Sequence, residues 1–282
     1  MVRSPGFEPG IISLEEYHKY CDNKYPCRKY ARLQYSLAIK YQHCYRDLSQ
    51  LPIKSRKNIV KSLICYSKYR GEYDKFKATM KSFDIKWSDN NSSLKAFLHI
   101  INNNHNELPG YIKHLNRFLT SNEQLFLKFL AMTGLRPGEC AESFNLIIKL
   151  HGEGKLSEYY NQQLQCLEHY KFPDLFLRNT KKVFISFVPE SIINEMSGAL
   201  PIAYSKLQTR VRCRGNKLQL KQLRSYHNSY LRKAGVLSEL VDILAGRVPK
   251  SVFVRHYLAA DLQSLGTKVL AIELELLRSL YQ

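Results

Sequence analysis

Apolar and aromatic residues fall into runs that polar, proline- or glycine-containing breaks separate along the chain. Runs of this length, bounded by such breaks, are typical of helices. The helices predicted in the first hundred residues are Leu14–Tyr20, Arg28–Leu48, Lys54–Tyr69, Glu72–Ser82 and Ser92–Ile101. The polar tract Asn102–Gly110 then predicts a linker, since it is poor in apolar residues and closes with Pro-Gly.

Beyond the linker the pattern stays mostly helical, with one short β segment. A helix is predicted over Ser121–Thr133, capped by Ser121 or Asn122 and ended by Gly134. Leu146–Tyr170 suggests two short helices, and Asp174–Arg178 with Val183–Val188 suggests a β-hairpin about the turn Asn179–Lys182. The later predicted helices, two of them stopped by Gly235 and Gly246, are Glu190–Met196, Leu218–Lys233, Ser238–Ala245, Ser251–Ala260 and Asp261–Leu280. We therefore expect a mainly α protein, with a helical domain over 11–105 and an α-rich domain over 112–282 that holds a small β-hairpin or sheet.

The chain is strongly basic in both parts. Its formal net charge is +19, with 44% hydrophobic and 12% aromatic residues, enough to build ordinary cores. The excess of positive charge favours a polyanionic partner that both domains bind. The alternative is a basic protein whose charge serves only its solubility. The sequence has no apolar run long enough for a membrane span and no secretory-signal pattern at Met1–Gly6. Its seven cysteines form no CxxC, so we expect reduced thiols in a cytoplasmic protein, without a disulfide framework or zinc site.

Candidate chemistry concentrates in four short motifs. Thr133–Glu139 places Arg136 after a glycine turn, Lys221 and Arg224 lie three residues apart on a predicted helix, Arg247 follows Gly246, and Tyr257 comes ten residues later. Two arginines can hold the non-bridging oxygens of one phosphate and stabilise charge that develops at phosphorus. A phenol, with a pKa of about 10, becomes a useful nucleophile when its oxygen meets a phosphate in a cationic pocket. The set therefore favours the breaking and rejoining of a phosphodiester without a metal.

These motifs resemble the active-site set of the tyrosine recombinase (phage-type integrase) family, with the archaeal fusellovirus-type integrases most similar. The resemblance covers roughly residues 115–260. Lys221 stands where the wider family usually has histidine, and Arg247 where it usually has histidine or tryptophan. It implies the tyrosine recombinase fold, with a core-binding domain ahead of a catalytic domain. It also implies a general-acid lysine on a hairpin, which by position is Lys181, with Lys182 as the close alternative.

The activity that this resemblance implies is site-specific DNA recombination through a 3′-phosphotyrosyl intermediate. Arg136 and Arg224 would bind the phosphate, Lys221 and Arg247 would assist, and Tyr257 would attack. The implied partners are double-stranded DNA and further copies of the chain in a homotetramer, at the nucleoid, with no membrane, metal, ATP or other cofactor. An inactive DNA-binding remnant and a type IB topoisomerase are the alternatives. Tyr257 could serve its own active site or a neighbour's, and the last helix could dock on a neighbour or close its own core.

Residues 1–10 form an unusual start for a domain. Gly6–Pro9 can be encoded by DNA whose complement resembles the core of a tRNA T-arm. In the integrases that the chain resembles, a similar peptide arises because the attachment site overlaps a tRNA gene inside the integrase gene. We therefore expect a peptide derived from a tRNA site, integration at a tRNA gene, and a chain that could be the downstream part of a split integrase. A random Pro/Gly-rich tail is the alternative.

Overall fold

The computed structural model describes residues 13–86, 93–94, 97–98, 107–178, 181–213, 219–248 and 261–281. These residues are mainly helical, with a few short antiparallel strands, which confirms the predicted fold class. The chain divides into two compact units, Met1–Asn103 and Asn104–Gln282. The predicted peptide over residues 1–10 lies outside the described residues.

The first unit is helical. Its helices are α1 (Leu14–Lys24), α2 (Arg28–Tyr41), α3 (Ile53–Tyr69) and α4 (Tyr73–Ser82), with a short 3₁₀ helix at Arg46–Gln50. The prediction of one helix over Arg28–Leu48 was wrong at its end, because Leu48 turns into the core on the 3₁₀ segment instead. Helices α2 and α3 meet through a buried hydrogen bond of 2.8 Å from Ser62 Oγ to Gln34 Oε1.

The second unit is built around a helix that is buried on most of its surface. Its helices are α5 (Leu108–Asn116), α6 (Ser121–Thr133), α7 (Pro137–Gly152), α8 (Pro173–Phe176), α9 (Glu190–Ser197), α10 (Tyr204–Cys213), α11 (Lys221–Lys233), α12 (Ser238–Leu244) and α13 (Leu262–Tyr281). Helix α6 has the predicted bounds and ends at Gly134, although its N-cap is Thr120. It packs against α7, α9, α11 and α13, so the helices that flank it are held around one core.

The segment predicted as a linker ends earlier than expected. Helix α5 begins at Leu108, and its buried face consists of Leu108, Tyr111, Ile112 and Leu115, packed against α13. Pro109 is compatible with this helix because a proline in the first turn has no N–H that needs an intrahelical partner. Tertiary burial of an apolar stripe therefore overrides the local turn signal of Pro-Gly.

The strands are only two residues long. Strands β1 (Tyr160–Asn161), β2 (Cys166–Leu167) and β5 (Ser186–Phe187) form an antiparallel sheet in the order β1-β2-β5, and β3 (Leu177–Arg178) pairs with β4 (Lys181–Lys182). Within Leu146–Tyr170, where two short helices were predicted, α7 runs on to Gly152 and two short 3₁₀ helices follow, at Leu156–Glu158 and His169–Lys171. Strands β1 and β2 lie between these 3₁₀ helices, and they were not predicted. The hairpin exists, but its second strand is β4, whereas β5 pairs with β2.

The last helix, α13, closes the core of its own unit. It packs on α5, α6, α11 and β5, and its buried side includes Val269, Leu276 and Leu280. The last helix was expected either to dock on a neighbouring copy or to close its own core. In the structure it packs within its own unit. No helix in the described part of the chain is long and apolar enough to cross a membrane.

Candidate active site

The first predicted motif forms a tight turn between α6 and α7. Gly134 adopts a left-handed conformation with φ of 57°, and Arg136 is the N-cap residue of α7. Arg136 Nη1 donates to both carboxylate oxygens of Glu139, at 2.9 and 3.0 Å. The Glu139 side chain is 1% exposed, so its charge needs a partner. Arg136 supplies that partner, and the two residues form a salt bridge at the start of α7.

Arg224 joins two of the predicted motifs. Its Nη1 donates to the carbonyl oxygen of Gly134 at 2.9 Å, and its Nη2 donates to the carbonyl oxygen of Ala245 at 2.5 Å. The guanidinium on α11 thus connects the turn before Arg136 with the turn before Arg247. Burial, followed by the positive charges of Arg136 and Arg247, lowers the pKa of Arg224 to about 10, and Glu139 acts in the opposite direction. Arg224 remains protonated at neutral pH, and its electrostatic neighbours are the other arginines of the predicted site.

Arg247 leaves the end of α12 with its side chain toward solvent. Gly246, with φ of 68°, ends the helix region as predicted, and the Arg247 backbone N–H bonds the carbonyl of Asp242 at 2.8 Å. Arg247 Nη1 lies 3.2 Å from Asp242 Oδ1, which also accepts from Arg232. The side chain of Arg247 is 64% exposed, so its ion pair with Asp242 competes with water and holds the guanidinium weakly.

The β3–β4 hairpin, which carries Lys181 and Lys182 and is called the lysine hairpin below, contacts the residues of these motifs at two points. The first is Arg178 on β3, whose Nη2 donates to Glu139 Oε1 at 3.3 Å. The second is Gly246, where an added Cβ would overlap the carbonyl oxygen of Lys182 and lie 2.6 Å from its carbonyl carbon. Lys181 and Lys182 are both exposed on β4. Successive side chains of a strand point to opposite faces, so one of the two lysines can face the arginines while the other points away.

Lys221 begins α11, one turn before Arg224. A spacing of three residues places the two side chains on neighbouring positions of the helix surface. Lys221 is exposed and lines a cleft of about 200 Å³ together with Pro137, the residue after Arg136, and Arg212. Lys221 therefore borders the Arg136 turn. Tyr257, the sixth predicted site residue, lies outside the described residues.

The structure adds residues that the sequence reasoning missed. Arg178 joins the site through Glu139, and His227 and Glu273 form a buried pair behind it, with His227 Nε2 at 2.9 Å from Glu273 Oε1. The available signals were weak: a histidine three residues beyond Arg224, and an acidic residue within the apolar stripe of the last helix. Burial raises the pKa of Glu273 to about 7, against the opposing effect of His227.

The arrangement presents several fixed cations around a small region of the second unit. Arg136 and Arg178 share the carboxylate of Glu139, while Arg224 bonds backbone carbonyls and keeps its full charge. Across the described ranges, no three His, Cys, Asp or Glu side chains are grouped so that they could hold a metal ion. Guanidinium groups held in this way are suited to a phosphate ligand, since their charge and planar donors match its oxygens.

The second unit is thus mainly helical and carries a cluster of cationic side chains. Residues 150–265 match the family of archaeal phage integrases. The matched segment is less than half of the chain; it includes Lys181, Lys221, Arg224, Arg247 and Tyr257 and begins after Arg136. This match confirms the predicted resemblance to phage-type integrases and supports an integrase or recombinase as the general class. No curated protein and no solved structure matches the chain.

Proposed function

We propose that the chain is a site-specific DNA recombinase that cuts and rejoins DNA through a 3′-phosphotyrosyl link to Tyr257. The observation that carries the proposal is the double contact of Arg224 with the carbonyls of Gly134 and Ala245. Through it, motifs that lie far apart in the sequence meet at one guanidinium. This arrangement supports a site in which several cations bind a single scissile phosphate.

Arg136 and Arg224 would bind the non-bridging oxygens of that phosphate. Arg224 already uses one N–H of Nη1 and one of Nη2, but a guanidinium has five donors, so three remain for a ligand. Lys221 and Arg247 would bond the same phosphate or help to move protons. Charge accumulating at phosphorus in the transition state would then be stabilised by groups that are already in place.

Lys181 is the proposed general acid, and Lys182 is the alternative. The hairpin that carries them is tied to Glu139 through Arg178 and touches Gly246, which supports a position beside the arginines. A lysine ammonium beside the scissile phosphate would give a proton to the departing 5′ oxygen as general acid. The free 5′ hydroxyl of the partner duplex would attack the phosphotyrosyl bond, so the bond energy is conserved and no ATP is consumed.

The wider proposal concerns the DNA and the assembly. Residues 11–105 would form a core-binding domain and 112–282 the catalytic domain, and the net charge of +19 supports binding of the DNA backbone. Exchange between two duplexes, each cut on both strands, would require a homotetramer on DNA at the nucleoid. Integration at a tRNA gene is supported by Gly6–Pro9, and tRNA sequence in the DNA beside the 5′ end of the gene is the expected finding.

A nicked suicide substrate tests the chemistry. Wild-type protein is expected to form a covalent protein–DNA adduct, and Tyr257→Phe, which lacks the attacking oxygen, is expected to form none. Tyr281→Phe is the matched control, since it removes a phenol oxygen at the end of the last helix. Binding without any adduct in the wild type would indicate an inactive DNA-binding remnant. Relaxation of supercoiled DNA without exchange between two site-bearing duplexes would indicate a type IB topoisomerase.

A further inference from the structure

A buried acid–base pair lies directly behind the proposed phosphate site. His227 is on α11, one turn beyond Arg224, and Glu273 is on α13; each residue is 2% exposed. Their contact, from His227 Nε2 to Glu273 Oε1, measures 2.9 Å. The proposed chemistry uses neither residue, yet two buried polar side chains are costly unless their hydrogen bond is kept.

Both ring nitrogens of His227 have a polar neighbour. Nδ1 lies 3.3 Å from Asn228 Oδ1, and Nε2 faces Glu273 Oε1. Glu273 Oε2 has no hydrogen-bond partner among the described residues. The hydrogen bond to His227 is therefore the contact that locates this carboxyl group.

The imidazole ring also determines how closely α11 approaches the Gly134 turn. A Cβ added at Gly134 would overlap Nδ1 of His227 and lie 2.7 Å from its Cγ, so the ring packs against the bare Cα of Gly134. On the same helix, Arg224 bonds the carbonyl oxygen of Gly134 at 2.9 Å. A change in the approach of α11 to Gly134 would therefore shift Arg224 relative to the turn that carries Arg136.

We propose that His227 and Glu273 are a positioning pair that sets the spacing of Arg224 and Arg136. The inference rests on the proposed function, because the spacing matters when both guanidinium groups bind one phosphate. The pair itself touches no DNA. Its effect is expected on the rate of strand cleavage and not on DNA affinity, since the phosphate contacts outside the active site are unchanged.

The test compares a double apolar variant with a conservative one. In His227→Leu/Glu273→Leu the pair is replaced by apolar groups, an exchange that buried ion pairs often tolerate without loss of stability. Its single-turnover rate of adduct formation at saturating nicked DNA is expected to fall about 10- to 100-fold, the scale of a small misplacement of catalytic groups. Its Kd for DNA should stay within about twofold, because sequence-independent phosphate contacts dominate affinity. Glu273→Gln keeps a hydrogen-bonding partner for Nε2 and should retain most of the wild-type rate.

The outcomes separate this proposal from the one on which it rests. A wild-type protein that forms no adduct contradicts the proposed function. An adduct lost in Tyr257→Phe but formed at the wild-type rate by the double variant overturns the positioning role alone. Equal losses of rate and affinity overturn it as well, since they indicate general damage to the fold. Should the double variant not fold, His227→Asn is the second test: it keeps a polar group near Asn228 but cannot reach Glu273, and the same selective loss of rate is expected.

Discussion

Gly246→Ala is expected to destabilise the second unit and displace the lysine hairpin. Gly246 has φ of 68°, a conformation that disfavours any side chain with a Cβ. The new methyl group would also overlap the backbone of Lys182, lying 2.6 Å from its carbonyl carbon and 3.3 Å from the amide nitrogen of Val183. Backbone atoms cannot move aside as a flexible side chain could, so β4 itself has to shift.

Gly154→Ala is the control that separates backbone strain from steric overlap of the added methyl group. Its φ of 69° is almost the same, but an added Cβ there meets nothing within 4 Å. Alanine at Gly154 should therefore cost about 1–2 kcal/mol, the penalty of the left-handed backbone alone. Gly246→Ala adds the cost of overpacking, about 1–3 kcal/mol, for a total of about 2–5 kcal/mol.

Urea unfolding followed by circular dichroism measures the free energy of unfolding of both variants, and the nicked substrate measures adduct formation. We expect Gly246→Ala to lose more stability than Gly154→Ala, and to lose adduct formation even at low temperature where the protein stays folded. Equal losses of stability in the two variants would refute the reasoning, because the close approach of Gly246 to Lys182 would then have no energetic consequence.

Two further predictions concern buried ionisable groups. Glu139→Gln removes the carboxylate shared by Arg136 and Arg178. It should lower the free energy of unfolding by about 1.5–3 kcal/mol, the usual contribution of hydrogen bonds to charged groups. Unchanged unfolding in urea would contradict this. The buried ring of His169 lies between the hydroxyl groups of Tyr159 and Ser186, and burial lowers its pKa to about 3. Below pH 6.5 the unfolded chain therefore takes up a proton at this residue that the folded protein does not. The free energy of unfolding should therefore fall by about 2 kcal/mol between pH 8 and pH 5 because of this group. In His169→Gln the free energy of unfolding should fall less over that range. Parallel plots of unfolding free energy against pH for the two proteins would show that His169 does not titrate in this way.

Local sequence patterns were sufficient for the elements whose signals agree with their burial. Helix α6 has its predicted bounds because an apolar run ends at Gly134, whose left-handed conformation stops the helix. The motif residues Arg136, Arg224 and Arg247 were proposed from local spacing and from the family resemblance. The two-residue strands β1 and β2 were not predicted, because two residues are too few to show the alternation of apolar and polar positions that indicates a strand.

The tertiary structure decided how these motifs meet. Arg224 reaches Gly134, which lies 90 residues away in the sequence, and no local spacing could indicate that contact. Glu273 lies in an apolar stripe where the sequence suggests packing alone, and its partner His227 becomes apparent once α11 and α13 are packed together. Sequence patterns report which residue types are present and which face of an element is apolar. The partners of buried charges depend on how distant elements pack, because each such charge needs a partner and packing determines which side chains come within reach.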